Sequence, residues 1–192
     1  MDEEFRVPDF SAPLDTRARI ATAPEDGWVR GMFFHEIASR AATRLGRPVA
    51  RERYVGFKAY PLREYLHLLV EAAGILHPDA PIREGLRRIG HLAYPTFAAS
   101  TVGGILFSVA GDFVGALRLA SQAFRVAVHP GRVEIRRVEG KGAIAELRSM
   151  YSFAEAYQVG VFEGAMTAFG VTGDVRVRVL SVSEVDLRLT WG

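Results

Sequence analysis

The feature that most constrains this chain is a change in the period of its apolar residues near Phe124. Before that point they recur every three or four positions, the repeat of a helix buried along one side. After it they alternate with polar residues, the repeat of a strand with one face in a core. A chain that changes period in this way reads as α+β. A helical N-terminal half over 28–122 should be followed over 123–192 by an antiparallel sheet in the order ββ(β)-α-ββ, with one buried helix between the strand groups.

In the helical half, Phe33, Phe34, Ile37, Ala38, Ala41 and Leu45 fall on one side of a helix that begins at Gly31 and is ended by Gly46 and Pro48. Residues 47–57 mix Arg51, Glu52 and Arg53 with Tyr54, Val55 and Phe57 and read as a connection. Leu62, Tyr65, Leu66, Leu69, Val70, Ala73 and Leu76 mark the next helix, with Pro61 at its start. Asp79 and Pro81 should open a third helix, buried through Ile82, Leu86, Ile89 and Ala93 and ended by Pro95 near Tyr94. A fourth should run from Phe113 to Gln122. Between these two, the run from Thr101 to Phe107 is apolar enough to suggest a core position, as a helix or a buried segment.

In the sheet half, Phe124, Val126 and Val128 alternate with Arg125, Ala127 and His129, Pro130-Gly131 supplies a turn, and Val133 and Ile135 continue the alternation, which predicts a hairpin. A second turn at Glu139–Gly142 leads to a strand from Ala143 to about Met150. Val175, Val177 and Val179, then Val185, Leu187, Leu189 and Trp191, mark two closing strands. The intervening helix, Glu155 to Phe169, carries Val159, Phe162, Met166 and Phe169 on one side. Gly160 and Gly164 lie on another, a spacing that suits close backbone approach to a sheet or helix.

At 192 residues the chain suits one domain over 28–192, preceded by an irregular lead-in over 1–27 that holds Pro8, Pro13 and Pro24. It has no cysteine, so disulfides and thiolate chemistry are excluded. The acidic start lacks the apolar run of a secretory signal, and no apolar stretch reaches the roughly 20 residues of a membrane span, so a cytoplasmic protein is expected. The pI of 9.1 overstates the charge, because 24 basic residues stand against 22 acidic ones. On the outer face of the sheet, Arg136, Arg176, Arg178 and Arg188 share their phase with Glu134, Glu184 and Asp186, which predicts ion pairs. No aromatic residue interleaves with them as nucleic-acid binding would want, so no nucleic-acid partner is expected.

Catalytic signatures are missing. His35-Glu36 lacks the second histidine of a His-Glu-x-x-His zinc site, and no nucleophile elbow or phosphate-binding glycine loop occurs. His67 and His91 fall on the solvent sides of their helices, His77 at a helix end and His129 at the expected hairpin turn, so none is assigned as a ligand or base. Glu163 is the one notable charge, at the border of an apolar stripe. It should pair with an arginine, with a ligand-contacting role as the alternative.

Several segments resemble a known family: Val29-Arg-Gly-Met-Phe-Phe34, Arg83-Glu-Gly-Leu-Arg-Arg-Ile-Gly90 with Tyr94-Pro-Thr-Phe97, Gly160-Val-Phe-Glu-Gly-Ala165, and Asp186-Leu-Arg-Leu-Thr-Trp191. The chain resembles a myxobacterial paralogous family of unknown function. That family is in turn distantly similar to the fold of heme-dependent nitric-oxide sensors, four-vinyl-reductase domains and a Golgi transport-particle subunit. The resemblance implies a domain that encloses a small or lipid-like ligand. The heme version needs an axial histidine and a Tyr-x-Ser-x-Arg clamp. The comparable stretch here, Leu147-Arg-Ser-Met-Tyr151, keeps only Ser149, and the helix from Phe113 to Gln122 holds no histidine, so neither heme nor another cofactor is expected, nor a metal.

The expectation is therefore a non-enzymatic regulatory or sensor domain with an apolar ligand pocket between helices and sheet. Phe34, Leu69, Tyr94, Phe97, Phe107, Phe124 and Phe162 are candidates for its lining, and Glu163 for a contact. The alternative is a protein-interaction or homodimerisation module without a small ligand.

Overall fold

A computed structural model describes residues 4–49 and 53–192, so Arg51 and Glu52 of the expected connection lie outside the described residues. The fold is α+β, with a helical N-terminal half and a C-terminal antiparallel sheet. The lead-in is less irregular than its prolines suggest. It contains helix α1 (Thr16–Ala21), capped by the Asp15 carboxylate, which accepts a hydrogen bond from the Ala18 amide at 2.9 Å.

Strand β1 (Trp28–Arg30) runs directly into α2 (Gly31–Leu45), which ends where Gly46 turns left-handed at φ 70°. Strand β2 (Ala59–Pro61) feeds α3 (Leu62–Leu76) in the same manner. Gly31 is needed at its junction, because a Cβ there would lie 2.2 Å from the Val55 carbonyl oxygen. The helices α4 (Ile82–Gly90), α5 (Ala93–Ala98), α6 (Thr101–Ser108) and α7 (Phe113–Ala127) complete the helical half.

Three expectations need correction here. Pro95 does not end the third helix near Tyr94: α4 stops at Gly90, and Pro95 lies in the first turn of the separate α5. A first-turn amide has no partner within its helix, so proline costs nothing at that place. The Thr101–Phe107 run is core only in part: Leu106 and Phe107 pack half-buried against the helical cluster, and most of the rest is on the surface. In α6 only Gly103 is buried, while Val102 and Ile105 are 50% and 70% exposed. A uniformly apolar run carries no period, so it cannot tell a buried helix from one lying on the surface.

The third correction falls on the hairpin. Phe124–Ala127 is the last turn of α7, because Phe113, Ala116, Leu117, Ala120, Ala123, Phe124 and Ala127 keep helical spacing on one face; the alternation of Phe124, Val126 and Val128 coincides with it. Strand β3 (Val128–His129) pairs with β1, in a three-stranded sheet of order β2-β1-β3. His129 therefore stacks on Trp28, ring centroids 5.9 Å apart, and is not at a hairpin turn.

The larger sheet has four antiparallel strands in the order β4-β5-β7-β6: β4 (Arg132–Glu139), β5 (Gly142–Arg148), β6 (Gly173–Val179) and β7 (Val185–Trp191). Register pairs such as Ala145 with Leu187 and Val177 with Leu187 put the apolar phases on one face. The opposite face is ion-paired. Asp186, only 2% exposed, is held by Arg148 at 2.7 Å and Arg178 at 2.6 Å, and Arg136 pairs with Glu134. The lead-in covers this side too. Arg6 bridges the edge of β6 at Val177, and buried Phe5 lies beneath the guanidinium groups of Arg178 and Arg188. Pairing at this one position protects part of that edge from a further strand.

Helix α8 (Tyr157–Ala168) is the buried helix between the strand groups. It crosses α4 at backbone contact. A Cβ on Gly160 would lie 1.9 Å from the Arg87 carbonyl oxygen, and one on Gly90 would lie 2.1 Å from that of Tyr157. Buried side chains form two clusters. One lies among α2, α3, α4 and α5 around Phe34, Leu66 and Leu69, and the other lies on the sheet around Leu147, Leu187 and Leu189. Among the described residues no helix is long and apolar enough to cross a membrane.

Candidate functional site

A cavity opens where the two clusters meet. Its open space, mouth included, is about 810 Å³, and the wall is drawn from both sides: Phe33, Tyr65 and Phe97 come from the helical cluster, Phe113, Leu117 and Phe162 from the sheet cluster. Alanines explain why space remains. The cavity face of α7 presents Ala116, Ala120, Ala123 and Ala127, and α8 adds Ala165. Larger apolar residues at those positions would fill the gap, as they do elsewhere in both cores. Aromatic rings close the rest of the wall. Tyr94 packs on Phe107 with centroids 4.9 Å apart, and Phe124 stacks on Phe162 at 6.3 Å and 15°.

Five of the residues expected to line a pocket lie in this wall together: Tyr94, Phe97, Phe107, Phe124 and Phe162. Phe34 and Leu69 do not. Both are fully buried in the helical core, where Phe34 stacks on Tyr54 at 4.7 Å. Glu163 points elsewhere. Its carboxylate accepts hydrogen bonds from Arg87 Nε at 2.6 Å and His91 Nε2 at 2.9 Å, so it ties α8 to α4. His91 is accordingly a partner of a carboxylate, not simply a solvated residue. Burial pulls the Glu163 carboxyl up, but the hydrogen bonds from His91 and Arg87, with the Arg87 charge, outweigh this and hold it below its ordinary value.

The polar groups of the wall are few, and none is charged. Tyr65 and Tyr157 share a hydrogen bond between their hydroxyls at 2.8 Å. Burial raises the Tyr157 phenol to about 12 and lifts that of Tyr65 well above its usual value, so both stay protonated at neutral pH. The Tyr94 phenol, also raised by burial, and the pair Gln158 and Ser152 complete the set among the described residues, with the amide Nε2 donating to Ser152 Oγ at 2.6 Å. Sequence reasoning missed Gln158, Ser152 and the alanines. The alanine signal was present, at helical spacing from Ala116 to Ala127, but small residues draw less notice than rings.

A family described as "Protein of unknown function (DUF2378)" matches residues 23–192. The chain belongs to that family. No curated protein matches it. Among solved structures, the chain is similar to an H-NOX protein from S. oneidensis in the Fe(II)NO ligation state, at 12% identity over 85% of this chain and 99% of that one, with a TM-score of 0.67. A comparable likeness holds for the Fe(II) unliganded H-NOX protein from K. algicida, at 12% identity, 85% and 96% coverage and a TM-score of 0.62. A third, from work on heme distortion in the H-NOX family, has 14% identity, covers 84% of this chain and 92% of that one, and has a TM-score of 0.57. The chain therefore has an H-NOX-type fold.

That likeness corrects the expectation of no cofactor, because structures sharing this fold are described with Fe(II) and with heme. Heme is thus the group against which the cavity must be compared. Protein ligands to heme iron are histidine, cysteine, methionine or tyrosine. The wall offers only tyrosine: Tyr65 and Tyr157 bond to each other as protonated phenols, and burial raises the Tyr94 phenol too, which disfavours a tyrosinate ligand. Among the described residues no guanidinium lies in the wall to pair with propionates, and Arg148, next to Ser149, is engaged by Asp186 on the outer face of the sheet. The donors of this cavity do not fit a histidine- or cysteine-ligated heme.

Proposed function

We propose that this chain is a non-enzymatic sensor or regulatory domain that takes a small apolar or lipid-like molecule into the cavity between α5, α6, α7 and α8. The alanine face of α7 carries the reading, because it leaves an apolar-walled cavity at the junction of the two cores. Small-molecule sites have walls of this composition, predominantly apolar with a few polar groups. The H-NOX-type fold supports a ligand-binding role. A non-catalytic role is supported by the wall itself, where Ser152 is bonded to an amide and not to a base.

Native mass spectrometry and an absorption spectrum of freshly purified protein test the proposal. The expected result is a retained organic molecule of low polarity. Protein that is empty and gains no thermal stability from any apolar compound would overturn it. A stoichiometric Soret band would replace the apolar ligand with heme.

A second reading, a protein-interaction or homodimerisation module, is favoured by the exposed apolar side chains of α6, where Ile105 is 70% exposed, and by Val109 beyond it at 75%. Light scattering decides it: a stable dimer that dissociates on Ile105→Ser substitution supports this module.

A further inference from the structure

We infer that the cavity is built for a neutral amphiphile, an apolar body carrying one hydroxyl-type head, and that Gln158 with Ser152 receives that head. The inference rests on the ligand-binding reading above and deepens it by naming the ligand class.

Gln158 and Ser152 are 3% and 4% exposed, and both lie in the cavity wall. Gln158 Nε2 donates to Ser152 Oγ at 2.6 Å, while Gln158 Oε1 has no hydrogen-bond partner among the described residues. A buried amide is normally matched at both ends, and an unmatched one in an apolar wall is costly to the fold. Turning the amide over exchanges which end is unmatched without removing the mismatch. Ser152 Oγ accepts from Gln158, so its own O–H is left to donate. Gln158 and Ser152 therefore hold one unmatched acceptor and one donor side by side in a wall whose other polar groups are tyrosine hydroxyls.

The chemistry of the guest follows. An alkane would leave the Gln158 carbonyl unmatched. A carboxylate or phosphate would enter a wall that has no cation to meet it, which is expensive in a dry site. A hydroxyl both donates and accepts, so it can satisfy Gln158 Oε1 and take the Ser152 proton in one contact. The Tyr65–Tyr157 pair adds a further donor in the same wall, because two hydroxyls sharing one hydrogen bond leave one proton over.

NMR titrations of the full chain with 1-octanol, octane and octanoate test the inference, with Gln158→Leu as the variant. Leucine removes the amide and keeps the shape, so the variant is expected to fold. 1-Octanol affinity should fall about tenfold in Gln158→Leu while octane affinity holds or rises, which is one net hydrogen bond. Ser152→Ala provides an independent check, with a loss of a few-fold for 1-octanol and none for octane. If both variants change 1-octanol and octane affinities alike, the head-group assignment is wrong and the apolar cavity stands. Tighter binding of octanoate than of 1-octanol to the unsubstituted protein would also overturn the neutral head. If neither 1-octanol nor octane binds that protein, the cavity reading fails and the inference with it.

Discussion

Ala120→Leu is the substitution that best separates a cavity from an ordinary packed core. Ala120 lies on the α7 face that borders the open space, and its side chain is nearly buried. Leucine adds three carbon atoms at a position with room to receive them. At about 0.8 kcal/mol per buried methylene the gain is at most about 2.4 kcal/mol. Fixing the leucine rotamer takes back roughly 0.5–1 kcal/mol, which leaves about 1–2 kcal/mol of added stability. For a chain of this size that is a rise in Tm of about 2–8 °C. Ala145→Leu is the control, because Ala145 is fully buried in the sheet core away from the cavity, where the same change should cost about 1–3 kcal/mol. Calorimetry on ligand-stripped protein measures both, and native mass spectrometry should show Ala120→Leu retaining less ligand. If Ala120→Leu destabilised the protein as much as Ala145→Leu, the space would not exist in solution and the argument for a binding site would fall.

Three further substitutions test the frame around the cavity. The Glu163 carboxyl titrates below its ordinary value of 4.5, so its contribution is complete above that pH and is lost as the pH falls through the lower folded value. Glu163→Gln should flatten the acid limb of the stability curve, cost roughly 1–2 kcal/mol at neutral pH in urea melts, and leave ligand retention unchanged. Gly160→Ala should cost about 2–4 kcal/mol in the same assay, because its methyl group would collide with the Arg87 carbonyl and force α4 and α8 apart. Glu155, 5% exposed, pairs with Arg83 at 3.3 Å and with Arg19; Glu155→Ala should cost about 2–3 kcal/mol and loosen α1, seen as faster hydrogen exchange there.

The parts of the fold legible in the sequence were those in which one physical period ran long enough to be unambiguous. Helices α2 and α3 each bury one stripe, and strands β4 to β7 alternate over seven or eight residues. Strands β1 and β2 have three residues each, too few to show alternation, so the second sheet could not be seen. The α7 boundary was misplaced because Phe124, Val126 and Val128 happen to alternate across a helix end, although Val126 is 39% exposed and Val128 lies just beyond the helix.

The site was legible by residue type and not by position. Tyr94, Phe97, Phe107, Phe124 and Phe162 share the cavity wall, whereas Phe34 and Leu69 belong to the helical core, and nothing local distinguishes a ring that borders space from one that fills it. Gln158 and Glu155 were invisible because a polar residue reveals its burial only through neighbours distant in sequence. Glu155 meets Arg19 and Arg83 across the fold.

The cavity's place between the two buried clusters has a mechanical consequence. An empty seam is where the helical half and the sheet half hold each other least, so a guest that fills it acts as a rivet between them. If the proposed ligand occupies it, the expected effect is a change in the stiffness with which the halves move as a pair. Helix α8 is the element through which that stiffness must pass, because it lines the seam with Tyr157, Val161 and Phe162 while its glycines grip α4 behind it. Unfolding of the empty protein should accordingly be broader than that of the filled one, the two halves parting company before either melts.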